Sequence, residues 1–177
     1  MRKDPILEVF AWLKDTPLEL PINPSMTECR SAVVRVKLEY NIYSENAYCS
    51  SNKSRRCWLL AALVYLHTIL ATPDGWRLLP KTEGHLIEEL RELMEEMVEE
   101  SSDVGFDVDV HLWILLFGGV HARESDATWY REALRAVCER GYISDWEEIR
   151  LLMSSLPWVQ KVVEDILKEF YLASIVY

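Results

Sequence analysis

Hydrophobic positions recur at helical spacing from the first residues of the chain. The apolar residues of the first such stretch are Ile6, Val9, Phe10 and Leu13. They follow Asp4 and Pro5, and an N-cap residue followed by proline at the first helical position is a common helix start. The pattern predicts a short helix that ends near Asp15. Three prolines in residues 16–25 then predict an extended connector, because proline fixes φ and cannot donate a backbone hydrogen bond.

Residues 27–43 fit two periodicities. Apolar residues alternate as in a strand at Val34, Val36, Leu38, Tyr40 and Ile42. A helical face is formed equally well by Cys29, Val33, Val36, Tyr40 and Tyr43. We favour a helix, because the length of the segment and the helical patterns around it both match one.

Two later segments, residues 57–71 and 111–122, are apolar on nearly every face, which is typical of buried helices. The polar residues 50–56 before the first segment predict a loop, and Asp109 is the expected N-cap of the second. The second segment contains Gly118 and Gly119. Each glycine costs about 1 kcal/mol relative to alanine in a helix, so the pair indicates close backbone approach or a kink.

Residues 83–100, with Thr82 as a cap, combine one apolar face with one acidic face. The apolar positions are Leu86, Ile87, Leu90, Leu93, Met94, Met97 and Val98. Eight glutamates lie between Glu83 and Glu100, offset only by Arg91. This composition predicts an amphipathic helix with an acidic outer surface.

Three further helices complete the pattern. Residues 125–138 predict a helix that ends at Gly141. Residues 144–147 match a capping box, which predicts the start of the next helix. Pro157 is expected in the first turn of the last helix. About eight helices account for the chain, with no tandem repeat. The predicted fold is all-α, an irregular helical bundle that forms one domain over residues 1–177.

The net charge of the chain and the lengths of its apolar runs argue against some classes of protein. The chain has 29 acidic and 19 basic residues, a net charge of -10, which disfavours direct contact with nucleic acid. Neither residues 58–66 nor residues 112–120 are long enough to span a bilayer, and no signal-peptide pattern follows Met1. We therefore expect a soluble intracellular protein.

The cysteines do not indicate a metal site or a disulfide framework. They are Cys29, Cys49, Cys57 and Cys138, with no Cys-x-x-Cys pair. Widely spaced cysteines of this kind are typical of reduced thiols, most of them buried. We expect no structural zinc.

Recognisable catalytic motifs are absent from the sequence. The residues able to do acid–base work near neutral pH are His67, His85, His111 and His121, and each has an ordinary structural interpretation. Glu88 and Glu92 share a helix face without a Glu-x-x-His pattern, and the basic cluster 53–56 is short. We assign no catalytic residue, no metal ligand and no cofactor, and expect a protein that is not an enzyme.

Several segments together resemble a known family in their order and spacing. They are residues 56–67, 112–122, 129–131, 144–150 and 156–158. Over about residues 40–165 the chain resembles the regulatory domain, or middle homology domain, of fungal zinc binuclear cluster transcription factors. The run Leu-Trp-x-Leu-x-x-Gly-Gly-x-x-Ala at 112–122, followed by Ser-x-Trp-Glu-Glu at 144–148, is its most distinctive part.

The resemblance implies an all-helical module that acts in the nucleus through a protein partner or by self-association. In that family an N-terminal six-cysteine zinc cluster binds DNA. No closely spaced cysteine cluster precedes the module here. The chain is then either an excised regulatory domain or a relative without its own DNA-binding motif.

Two other functions remain open from the residues. The first is a small-molecule sensor, with a pocket between the two apolar helices where Gly118 and Gly119 leave room and Trp58 or Trp113 lines the wall. The second is an unfamiliar enzyme on the same scaffold, with a histidine near a carboxylate. The histidines concerned are His67, His111 and His121.

Overall fold

The chain was studied as a computed structural model that describes residues 11, 26–45, 50–70, 84–100, 107–156 and 160–175. Within these ranges it forms seven helices: α1 (Met26–Glu45), α2 (Ser50–Leu70), α3 (Gly84–Glu100), α4 (Val108–His121), α5 (Glu124–Arg140), α6 (Trp146–Met153) and α7 (Gln160–Ile175). The described ranges contain no strand, so the prediction of an all-α irregular bundle is confirmed. Apart from Ala11, which is helical, the predicted first helix and the connector at 16–25 lie outside them. Thr82 and Pro157 do too.

Residues 27–43 belong to a helix, as favoured from the sequence. Ala32 and Val36 of α1 are buried, and Val33 and Tyr40 pack partly buried against the same core. This face of α1 lies against α2. The alternation of apolar residues along α1 therefore has another cause than a strand.

The prediction of a loop at residues 50–56 is wrong, because α2 already begins at Ser50. Its polar first turns lie beside the acidic helix α3. Lys53 forms an ion pair with Glu96 at 2.9 Å, and Arg56 forms one with Glu89 at 3.4 Å. The polar residues thus continue the helix at the place where its neighbour offers carboxylates.

Helix α4 lies at the centre of the described bundle. Every residue from Val110 to Gly119 is buried, and α4 contacts α2, α3, α5, α6 and α7. A helix that is apolar on all sides needs neighbours on all sides. The pattern of residues 111–122 is explained by this position.

Helix α3 has the two faces that its sequence predicts. Leu90 and Met94 are among its buried residues, whereas Glu92 and Glu96 are exposed. Arg91 lies between two helices, 2.7 Å from Glu95 of α3 and 3.1 Å from Asp126 of α5. Ion pairs of this kind offset part of the repulsion among the glutamates.

Helix starts are shifted from the predicted caps. The N-cap of α4 is Asp107 and not Asp109, which lies in the first turn and accepts a hydrogen bond from the Val110 backbone nitrogen at 2.8 Å. Helix α5 begins one residue before Ser125, with Arg123 as its N-cap. Neither N-cap side chain makes a capping hydrogen bond, so no capping side chain marks these two helix starts in the sequence.

The capping box of α6 is also displaced by one residue. Asp145 is the N-cap, and its carboxylate accepts a hydrogen bond from the Glu148 backbone nitrogen at 2.9 Å. The Glu148 carboxylate in turn accepts from the Ser144 backbone nitrogen at 2.7 Å. Aspartate caps a helix as well as serine does, which is why the box forms from Asp145 and Glu148.

The end of α5 agrees with the predicted stop at Gly141. This glycine is the C-cap, with a right-handed φ of -83°, and the positive φ falls on the next residue, Tyr142, at 53°. The Tyr142 side chain is 92% exposed.

Among the described helices, none is both long enough and apolar enough to cross a membrane.

Candidate functional site

The two tryptophans singled out from the sequence meet where α2 packs on α4. The rings of Trp58 and Trp113 stack with their centroids 6.1 Å apart. Tyr65 and Phe117 extend the cluster, with ring centroids 5.7 Å and 5.0 Å from that of Trp113. Trp113 is fully buried and Trp58 partly buried. These four rings form an aromatic cluster that packs α2 against α4.

Gly118 and Gly119 face other helices. A Cβ atom at Gly118 would be 2.5 Å from the Tyr130 ring of α5, and one at Gly119 would be 2.2 Å from the Phe170 ring of α7. The glycines thus permit two aromatic rings to lie directly on the α4 backbone. The space that a small-molecule pocket would use beside them is filled by these rings, and a ligand would have to displace one.

The histidines are spread over three helices, with His67 partly buried on α2 and His85 exposed on α3. Burial lowers the pKa of His111 to about 4, with a smaller contribution from Arg140, and burial lowers the pKa of His121 to about 4. Nδ1 of His121 lies 2.7 Å from the Phe117 carbonyl oxygen. A general base works best when its pKa is near the working pH, so neither His111 nor His121 suits that role at pH 7.

A polar junction joins the first three helices. The Tyr40 hydroxyl of α1 donates a hydrogen bond to Glu89 of α3, and Arg56 of α2 lies 3.4 Å from the same carboxylate. Burial, assisted by the charge of Glu92, raises the pKa of Glu89. The Arg56 guanidinium also lies over the Tyr40 ring, 5.7 Å from its centroid. These contacts hold α1 and α2 on α3.

Part of the basic cluster at 53–56 also forms contacts between helices. Lys53 and Arg56 bind the glutamates of α3. Glu88, one of the paired carboxylates, lies 2.8 Å from Arg123. Among the described residues, no group of three or more histidine, cysteine, aspartate or glutamate side chains is placed to hold a metal ion.

The side of α1 that faces away from the core carries a row of apolar residues among polar ones. Val34, Leu38 and Ile42 are 57%, 60% and 54% exposed and follow one another at intervals of four residues. Residues four apart lie on the same side of a helix, so they form one row, here called the α1 stripe. The row lies opposite the buried Ala32 and Val36.

The α1 stripe also explains the ambiguous periodicity of residues 27–43. Val36 and Tyr40 belong to the side that packs on the core, while Val34, Leu38 and Ile42 belong to the opposite side. Two apolar sides of one helix produce the alternation that resembles a strand. The stripe could have been found from the sequence by asking which apolar residues remain once the buried side is complete.

The other large exposed apolar side chains of the described residues are distributed over several elements. They are Val108, Tyr142, Leu151, Leu152, Leu172 and Ile175. Single exposed apolar residues are normal on protein surfaces. A row of three on consecutive turns of one helix is a different feature, and it makes the α1 stripe the candidate functional site.

Comparison with known proteins found no relative of this chain. The chain matches no family model, no curated protein and no solved structure. A functional proposal therefore rests on the residues of the chain itself.

Proposed function

We propose that this chain is a non-enzymatic regulatory domain that acts in transcription by binding another protein through the α1 stripe. The observation that carries the proposal is the exposure of Val34, Leu38 and Ile42, each more than half exposed on one side of α1. Direct contact with DNA is not part of the proposal, because a net charge of -10 repels phosphate. The place of action would be the nucleus.

The energetics of the α1 stripe support a binding role. Full burial of a valine, leucine or isoleucine side chain contributes about 1.5–3 kcal/mol. Three such residues in one row offer a partner a large apolar contact, and amphipathic helices are recognised through anchors at this spacing. The stripe would supply much of the affinity of a specific but reversible complex.

The transcriptional context comes from the resemblance of residues 40–165 to the regulatory domain of fungal zinc-cluster transcription factors. The matching segments include the central helix α4 and the start of α6. A third matching segment, residues 56–67, lies on α2, the helix on which α1 packs. On this proposal the resembling segments build the scaffold, and α1 presents the binding surface.

A tethered reporter assay tests the proposal. The full chain is fused to a heterologous DNA-binding domain, and expression of a reporter gene is measured in a fungal host. We expect the fusion to change expression relative to the DNA-binding domain alone. Leu38→Ser should remove this change, since it places a polar group in the middle of the α1 stripe.

The matched control is Leu151→Ser, which changes a leucine of α6 that is 75% exposed, against 60% for Leu38. It should leave the reporter response unchanged. Immunoblotting shows that all fusions are present at the same level. A fusion without effect, or one in which Leu38→Ser and Leu151→Ser behave alike, would contradict the proposal.

A further inference from the structure

We draw no further inference here: the strongest candidate, the row of Val34, Leu38 and Ile42 on the outer side of α1, belongs to the site already described, and nothing in the part of the chain that the structure describes shows what covers it.

Discussion

The ring of Tyr130 on α5 lies directly against Gly118 on α4, where a Cβ atom would be 2.5 Å from ring carbon Cε1. Tyr130 is fully buried, and its hydroxyl donates a hydrogen bond to the Ile87 carbonyl oxygen of α3 at 3.1 Å. The ring is thus fixed at both ends. One side chain joins three helices, and the absence of a side chain at Gly118 makes room for it.

The first prediction is that Gly118→Ala destabilises the fold. Overpacking of a close contact costs about 1–3 kcal/mol, which we expect to exceed the roughly 1 kcal/mol that alanine gains over glycine in a helix. The Tyr130 ring cannot turn away without losing its hydrogen bond to Ile87. Urea unfolding monitored by circular dichroism measures the change in unfolding free energy.

A double-mutant cycle shows whether the clash with Tyr130 is the cause. In a Tyr130→Leu background, Gly118→Ala should cost less, because the smaller side chain leaves space for a methyl group. The coupling is the difference between the two costs. A stabilising effect of Gly118→Ala in the unaltered chain would show that the α4–α5 contact is looser than described.

The contacts of Gly118 and Gly119 were predictable from the sequence only in part. Two glycines in an apolar helix indicate close backbone approach, and both do meet aromatic rings. The sequence could not say that the rings are Tyr130 and Phe170, because these contacts join residues distant along the chain. Whether the glycines leave space or permit contact depends on that tertiary information.

Helix type was more predictable than helix boundaries. The periodicity of α3 and the uniform apolarity of α4 follow from what each helix must bury. The sequence predicts a loop for the first turns of α2, because their polar residues have no local reason to be helical. Their partners, Glu89 and Glu96, lie more than 30 residues away.

The second prediction concerns the cap of α6. Asp145→Ala should lower the unfolding free energy by about 1 kcal/mol, the usual cost of removing an N-cap side chain. Ser144→Ala should cost less, because the Ser144 backbone nitrogen keeps its bond to Glu148. Thermal or urea unfolding of the two variants side by side makes the comparison. A larger loss in Ser144→Ala would show that Ser144 is the capping residue, as in the box predicted at 144–147.

The third prediction is that two thiols react only when the protein unfolds. Cys57 and Cys138 are free and buried. Burial raises the pKa of Cys57 to about 12 and that of Cys138 to about 11, and the thiolate is the reactive form. A Cys29→Ser and Cys49→Ser variant leaves these two thiols for measurement.

In that variant, Ellman's reagent should label neither thiol at pH 8 in the native state, and both in denaturant. The native labelling rate should rise with urea in step with the population of unfolded chain. Rapid labelling of one thiol at low urea would reveal a local opening around that cysteine. Unfolding curves with and without the reagent provide the control for stability.

The fourth prediction is that acidification between about pH 6.5 and pH 4 destabilises the protein through His111 and His121. Burial lowers the pKa of both to about 4 in the folded chain, whereas the unfolded chain has ordinary histidines near 6.5. Between these values the unfolded state binds protons that the folded state does not. The free energy of unfolding therefore falls as pH falls through this window, and is fully retained above it.

Each histidine contributes up to about 3 kcal/mol over the window, at about 1.36 kcal/mol per pKa unit. His111→Gln removes one of the two titrations, so the loss of stability from pH 6.5 to pH 5 should be smaller in this variant than in the unaltered chain. His85→Gln changes an exposed histidine and should leave the profile as it was. Working above pH 5 keeps most carboxylates ionised and separates their effect. Parallel profiles for all three proteins would mean that His111 takes up a proton in the folded state, and that its surroundings admit a charge.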